Sequence, residues 1–268
     1  MNVFLKKSIP NFITLSNLFL GFTSIILLSL SLNDSASYVQ TACYLILIAC
    51  ILDSFDGKIA RKLNISSDFG KEIDSLADLV SFCIVPSLLV FVYYILLASQ
   101  LSFILLLFLS SFPLMFGAVR LAKYNSLKDM RESEKYLGLP TPANAILICS
   151  LILFTYNMPY RAIMGSSNKF FDLCNSLLSN IFIFEYMILF ISIISSMLLM
   201  SKINFEKFPL ISFRINKKNN LDLLKLILFL IILGVSFADK SYDIVLLLFI
   251  MIYIFGNMIK YLVNLIKK

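Results

Sequence analysis

Val39-Gln-Thr-Ala-Cys-Tyr-Leu-Ile-Leu-Ile-Ala-Cys-Ile-Leu52-Asp53-Ser-Phe-Asp56-Gly57-Lys-Ile-Ala60-Arg61 decides the fold. No charge occurs from Val39 to Leu52, and then two aspartates and two basic residues follow within nine positions. A bilayer core asks for roughly 20 consecutive apolar residues in a helix. Residues 39–56 therefore read as a transmembrane helix whose polar end continues beyond the membrane surface. Similar runs lie near 12–32, 76–97, 101–119, 142–157, 180–200, 222–238 and 242–262. The expected fold is an all-α, polytopic membrane helical bundle of about eight transmembrane helices. Phe12–Leu32 is too long for a signal-peptide core and lacks a small-residue cleavage pattern, so it reads as a retained first span.

Composition agrees: 59% of the 268 residues are hydrophobic and only 15% charged, against about 25% charged in soluble domains. The net charge of +7 comes from short basic clusters between apolar runs. It is an orientation and lipid-attraction signal rather than a nucleic-acid footprint. With both termini placed in the cytoplasm, only Arg161, Lys169 and Lys240 of the 23 basic residues fall outside. That asymmetry predicts an inner-membrane protein with cytoplasmic termini. Residues 1–200 form a six-helix body, 201–221 a basic linker with Pro209, and 222–268 a two-helix C-terminal extension. Histidine is absent, which excludes Ser-His-Asp and Cys-His catalysis and His-ligated zinc. Cys43, Cys50, Cys83, Cys149 and Cys174 contain no C-x-x-C pair and read as small buried hydrophobes.

Chemistry concentrates where the second span meets the cytoplasm. Helical spacing puts Asp53, Asp56, Gly57, Ala60 and Arg61 on one face. After a short break, Gly70-Lys-Glu-Ile-Asp74-Ser-Leu-Ala-Asp78 sets two more aspartates one turn apart on the third helix. An antiparallel helix pair brings the faces together. Four carboxylates in a small desolvated volume repel one another and call for divalent cations. All-oxygen ligands suit Mg²⁺ or Mn²⁺. Gly57 and Ala60 leave room for a ligand, and Arg61 is placed to grip a phosphate.

The pattern D-x2-D-G-x2-A-R-x8-G-x3-D-x3-D, matched by Asp53, Asp56, Gly57, Ala60, Arg61, Gly70, Asp74 and Asp78, resembles the CDP-alcohol phosphatidyltransferase family. The resemblance implies that Asp53 and Asp74 bridge two metal ions, that Asp56 binds one, and that Asp78 binds the other and accepts a proton. It implies CDP-lipid contacts for Gly57, Arg61 and Ser67, and a homodimer. A second resemblance lies within that family. Ile9-Pro10-Asn11-Phe-Ile-Thr14-Leu-Ser-Asn17-Leu-Phe-Leu-Gly21, Arg120-Leu-Ala-Lys-Tyr-Asn125 and Gly138-Leu-Pro140-Thr-Pro142-Ala look like the integral-membrane phosphatidylserine synthases. The implied donor is CDP-diacylglycerol or its ether-lipid counterpart, and the implied acceptor is L-serine.

Each of these outlying residues has two readings. Asn17 and Thr14 contact the nucleotide lipid, or Asn17 hydrogen-bonds a neighbouring helix. Arg120 meets the serine carboxylate or a phosphate, or else anchors at the membrane surface. Asn125 touches the acceptor or caps a helix end. Glycerol 3-phosphate or inositol phosphate is the alternative acceptor, served by Arg120, Lys123 and Arg131. An intramembrane acidic cluster also suits a cation transporter, although these aspartates sit at one membrane face.

Overall fold

The computed structural model describes residues 3–33, 37–62, 68–97, 99–126, 135–163, 181–206, 232, 234, 236 and 241–266. The first two apolar runs form α1 (Val3–Ser31) and α2 (Ser37–Lys62). The polar end of α2 stays helical past Asp56, as its spacing predicts. Next come α3 (Asp68–Leu79), a π-helical turn (Val80–Ile84) and α4 (Val85–Leu96), which follow one another without a break. This rod starts well before residue 76, because its amphipathic first turns carry the acidic face outside the apolar run.

Pro86 explains the π turn. Proline lacks an N–H and its ring clashes with the carbonyl four residues back, so a regular α-turn is penalised there. The chain widens instead, and Val85 N–H donates to Val80 C=O, the five-residue spacing of a π turn. Ser81, Phe82 and Cys83 of this turn are all buried. Two helices approach it closely through glycine. A Cβ on Gly21 of α1 would lie 3.1 Å from Ser81 Cα, and one on Gly117 would strike Cys83 Sγ. Ser81 Oγ donates to the Asn17 carbonyl at 3.0 Å, fixing α1 against the turn.

The fourth apolar run folds as α5 (Phe103–Ser110) and α6 (Phe112–Ser126). Pro113 accounts for the interruption at Ser111. Ser87 Oγ of α4 accepts the Leu114 N–H at 2.9 Å, so a first-turn donor of α6 that no intrahelical carbonyl can serve is satisfied. Then follow β1 (Lys135–Leu137), α7 (Thr141–Ile163), α8 (Ile181–Leu199), β2 (Asn204–Glu206) and α9 (Tyr242–Ile266). The expected span at 222–238 lies outside the described residues, apart from 232, 234 and 236.

Among the described residues, five helical stretches are long and apolar enough to cross a membrane, and Thr141–Asn157 and Tyr186–Leu199 are shorter apolar helices. The α3–α4 rod is the central one: 61% of its apolar window is buried, against 22–33% in the other four. Large apolar side chains such as Phe19, Ile104 and Ile252 point outward, more than 60% exposed. Lipid is the solvent that suits such a surface. The chain is thus an all-α polytopic membrane bundle. Its main core joins α2, α4 and α7 through Ile46, Val90 and Ile152.

The departure from an all-helical expectation is a small antiparallel ribbon. β1 pairs with β2 in the register Lys135↔Glu206, Tyr136↔Phe205, Leu137↔Asn204. Gly138 follows with φ +77 and abuts the Leu199 carbonyl. A Cβ there would be strained by φ and would strike that carbonyl, so glycine is needed twice over. A second core forms beneath the ribbon from Leu139, Leu147, Leu199, Phe205, Ile250 and Ile254.

Candidate active site

Asp53 stands on α2, three residues beyond Cys50, and Asp74 and Asp78 stand one turn apart on α3. Carboxylate oxygens of Asp53, Asp74 and Asp78 lie within 4.8 Å of one another, each side chain half-buried. Two like charges about 4 Å apart repel by about 4 kcal/mol at an effective dielectric near 20. Three such groups on neighbouring helix ends are a costly arrangement unless positive charge is held among them. Hard oxygen donors without His or Cys fit Mg²⁺ or Mn²⁺. The donor set and its spacing therefore fit the expected ions.

The described side chains bring together three of the four predicted metal-site aspartates. Asp56, Gly57 and Arg61 belong to the last turns of α2, but their side chains lie outside the described part, and Ser67 lies outside the described residues altogether. Thr14 and Asn17 are buried on α1, 4% and 0% exposed. Asn17 sits at the level of Ser81, which shares a helix face with Asp74 and Asp78 through i+3 and i+7 spacing. Its side-chain amide oxygen and nitrogen are both buried with no hydrogen-bond partner among the described residues. A neighbour-helix partner, one of the two readings of Asn17, is therefore not present among them.

Arg120 is buried on α6, and its Nη1 donates to Thr141 Oγ1 at 3.3 Å across to the first residue of α7. Thr141 Cγ2 and Cys83 Sγ meet at the Gly117 position, so Arg120 and Thr141 lie beside the π turn just above Asp78. On the other side, Cys50 Sγ lies 3.8 Å from the Pro142 carbonyl. The start of α7 is thereby set against α2 one turn from Asp53. Arg120 also lines a cavity of about 20 Å³ with Lys123, Tyr124, Leu137, Leu199 and Ser201, room for about one water. Asn125 turns toward the acidic helix instead. Its Nδ2 donates to Ser75 Oγ at 2.7 Å, next to Asp74 in sequence, a tie between α6 and α3 that neither of its two readings anticipated.

One side chain of interest escaped the sequence reading. Asn144, three residues beyond Thr141 on the same face of α7, is fully buried, and neither amide atom has a partner among the described residues. Burying an amide unpaired costs about 2–7 kcal/mol, so a packing role alone explains it poorly. An asparagine two residues after Pro142, at the edge of an apolar run, was the available signal. An open apolar groove of about 520 Å³, lined by Phe12, Phe19, Ile48 and Leu52 among others, runs between α1 and α2 up to the neighbour of Asp53.

A model described as CDP-alcohol phosphatidyltransferase matches residues 7–197. The chain is 35% identical over 162 residues to a CDP-diacylglycerol–serine O-phosphatidyltransferase of Helicobacter pylori, covering 60% of this chain and 63% of that protein. It is 36% identical over 151 residues to the protein of that name in Bacillus subtilis, covering 56% and 77%. Against the archaetidylserine synthase of Methanothermobacter thermautotrophicus it is 32% identical over 149 residues, covering 54% and 58%. The match thus spans less than two thirds of the Helicobacter relative's length.

Proposed function

The chain belongs to the CDP-alcohol phosphatidyltransferase family, and we propose that it transfers the phosphatidyl group of CDP-diacylglycerol, or an ether-lipid analogue, to L-serine and releases CMP. The observation that carries this reading is the convergence of Asp53, Asp74 and Asp78 beside a buried arginine. Asp53, Asp56, Asp74 and Asp78 are the residues that would hold two divalent cations, Mg²⁺ or Mn²⁺. Such ions, when bound, neutralise charge on a pyrophosphate and on a departing phosphate.

The chain's own groups supply the rest. Arg61, Gly57 and Ser67 are the proposed contacts of the donor's phosphates. Asn17 and Thr14 offer a buried amide and hydroxyl to the nucleotide. The groove between α1 and α2 suits a lipid chain of the donor. Arg120 and Thr141 receive the carboxylate of serine at the N-terminal end of α7. Asn144 offers one acceptor and two donors, which match an ammonium and a carboxylate on one small molecule. The serine oxygen forms a bond to the lipid-side phosphorus as the bond to CMP breaks. Asp78, the deeper of the α3 pair, takes the hydroxyl proton.

The asymmetric basic loops support a site on the cytoplasmic side of the inner membrane. The family match gives no support to a cation transporter. A phosphorylated acceptor has one observation in its favour, since Lys123 lines the Arg120 cavity. Radiolabelled serine, glycerol 3-phosphate and inositol phosphate, each offered with CDP-diacylglycerol to membranes containing the protein, separate the readings. Label from serine should enter lipid; label from glycerol 3-phosphate alone would overturn the serine assignment.

A further inference from the structure

The family match ends at residue 197, yet the wall of the Arg120 cavity does not. Leu137 of β1 and Leu199–Ser201, the turn leading to β2, line it together with Arg120, Lys123 and Tyr124. The ribbon and α7 are one mechanical unit. Gly138 N–H donates to the Ile203 carbonyl at 2.9 Å, and Leu139 N–H to the Leu198 carbonyl at 3.0 Å. Two residues later α7 begins at Thr141, the partner of Arg120. A shift of β2 would therefore be felt at Thr141 and along the cavity wall.

A two-stranded ribbon of three residues a side is not stable by itself in water or at a membrane surface. Its outer edge, on β2, is held by α9. Asn257, only 6% exposed, accepts the Glu206 N–H on Oδ1 at 3.1 Å and donates from Nδ2 to the Tyr253 carbonyl at 2.8 Å. Tyr253 donates its hydroxyl to the Glu206 carbonyl at 2.9 Å. The two side chains thus bond both main-chain polar groups of Glu206, as a third strand would. Below them Phe205 is fully buried against Ile250 and Ile254, with its ring 6.0 Å from that of Tyr253. An exposed pair, Lys260 Nζ with the Glu206 carboxylate at 3.1 Å, adds little.

We propose that α9 is a positioning element for the acceptor pocket, and that Asn257 is its principal positioning residue, acting through the β1–β2 ribbon on Thr141 and Arg120. This rests on the reading of Arg120 as an acceptor contact. It gives the helix beyond the family match a part in acceptor binding, separate from holding the donor lipid.

Full-length wild type and the variants Asn257→Leu, Tyr253→Phe and Lys260→Ala are assayed in mixed micelles for KM of acceptor, KM of CDP-diacylglycerol and kcat, with thermal unfolding followed in parallel. Asn257→Leu should raise the acceptor KM about tenfold, the weight of its lost bond to the Glu206 main chain. The KM for CDP-diacylglycerol and kcat at saturating acceptor should stay near wild type. Tyr253→Phe keeps its ring on Phe205 and guards against loss of fold; it should raise the acceptor KM about threefold. Lys260→Ala should match wild type. Equal rises in both KM values, or a lowered unfolding temperature with both unchanged, would overturn the proposal. If wild type uses glycerol 3-phosphate or inositol phosphate in place of serine, the serine reading fails while the KM split is read on the acceptor used. Transfer to none of the three overturns both.

Discussion

At the ends of α2 and α3, three carboxylates stand on continuous helices, and their meeting follows from local spacing and one helix-to-helix contact. Around Arg120, the pocket draws on α6, the start of α7 and a ribbon joining residues far apart in sequence, whose outer strand α9 holds at Glu206. The first region is dense in charge and short in contact order. The second mixes Leu137, Leu199 and Met200 with Arg120, Lys123, Tyr124 and Ser201, and depends on long-range contacts. Metal chemistry tolerates few changes of donor set but asks little of the rest of the fold. The proposed recognition of a small alcohol needs a shaped wall, and that wall draws on segments far apart in the sequence.

The largest effect that would sharpen this contrast belongs to the acidic region. Asp78→Asn should lower kcat by about 10²–10⁴-fold, the usual weight of a general base, while CDP-diacylglycerol still binds in a filter assay. Turnover near wild type would remove the proton-acceptor role. Between the two regions lies the π turn, against which Gly117 packs without room for a side chain. Gly117→Leu should destabilise the folded protein by about 1–3 kcal/mol through overpacking, read as a lower midpoint of detergent-resistant unfolding. An unchanged midpoint would show that α6 does not depend on that close approach.

In the second region Asn144→Leu tests a trade between stability and use. Replacing a buried amide that has no partner among the described residues by an apolar side chain should leave stability unchanged or raise it by about 1–3 kcal/mol, while the serine KM rises about tenfold. Lower stability with an unchanged KM would make Asn144 a packing residue. The smallest effect is expected at the ribbon's exposed ion pair, where Glu206→Gln should change stability by less than about 0.5 kcal/mol and leave both KM values alone. A large effect there would move the weight of the brace from Asn257 to the salt bridge.

These differences also govern what could be read in advance. Transmembrane helices follow from apolar length, and the aspartate faces from i+3 and i+4 spacing, so α2, α3 and the meeting of Asp53, Asp74 and Asp78 were legible. The early start of α3 was obscured because its first turns, Asp68 to Asp74, are polar and fall outside any apolar window. The π turn was hidden because Pro86 announces a disturbance without saying whether the helix bends, breaks or widens. The ribbon could not be found by periodicity, since Lys135–Leu137 and Asn204–Glu206 are each too short to show one. Asn144 and Asn257 look alike in sequence, both polar residues in apolar helices. Only packing separates them: one amide lacks a partner among the described residues, and the other holds the main chain of Glu206.

The most direct test of the central claim is Mn²⁺ binding to the purified full-length protein, followed by electron paramagnetic resonance in the presence of a CDP-lipid. Wild type should bind Mn²⁺ with a spectrum showing spin coupling between two close ions, and Asp53→Asn and Asp74→Asn should each lose that coupling and bind at least about tenfold more weakly. Uncoupled Mn²⁺ bound equally well by wild type and both variants would contradict the account.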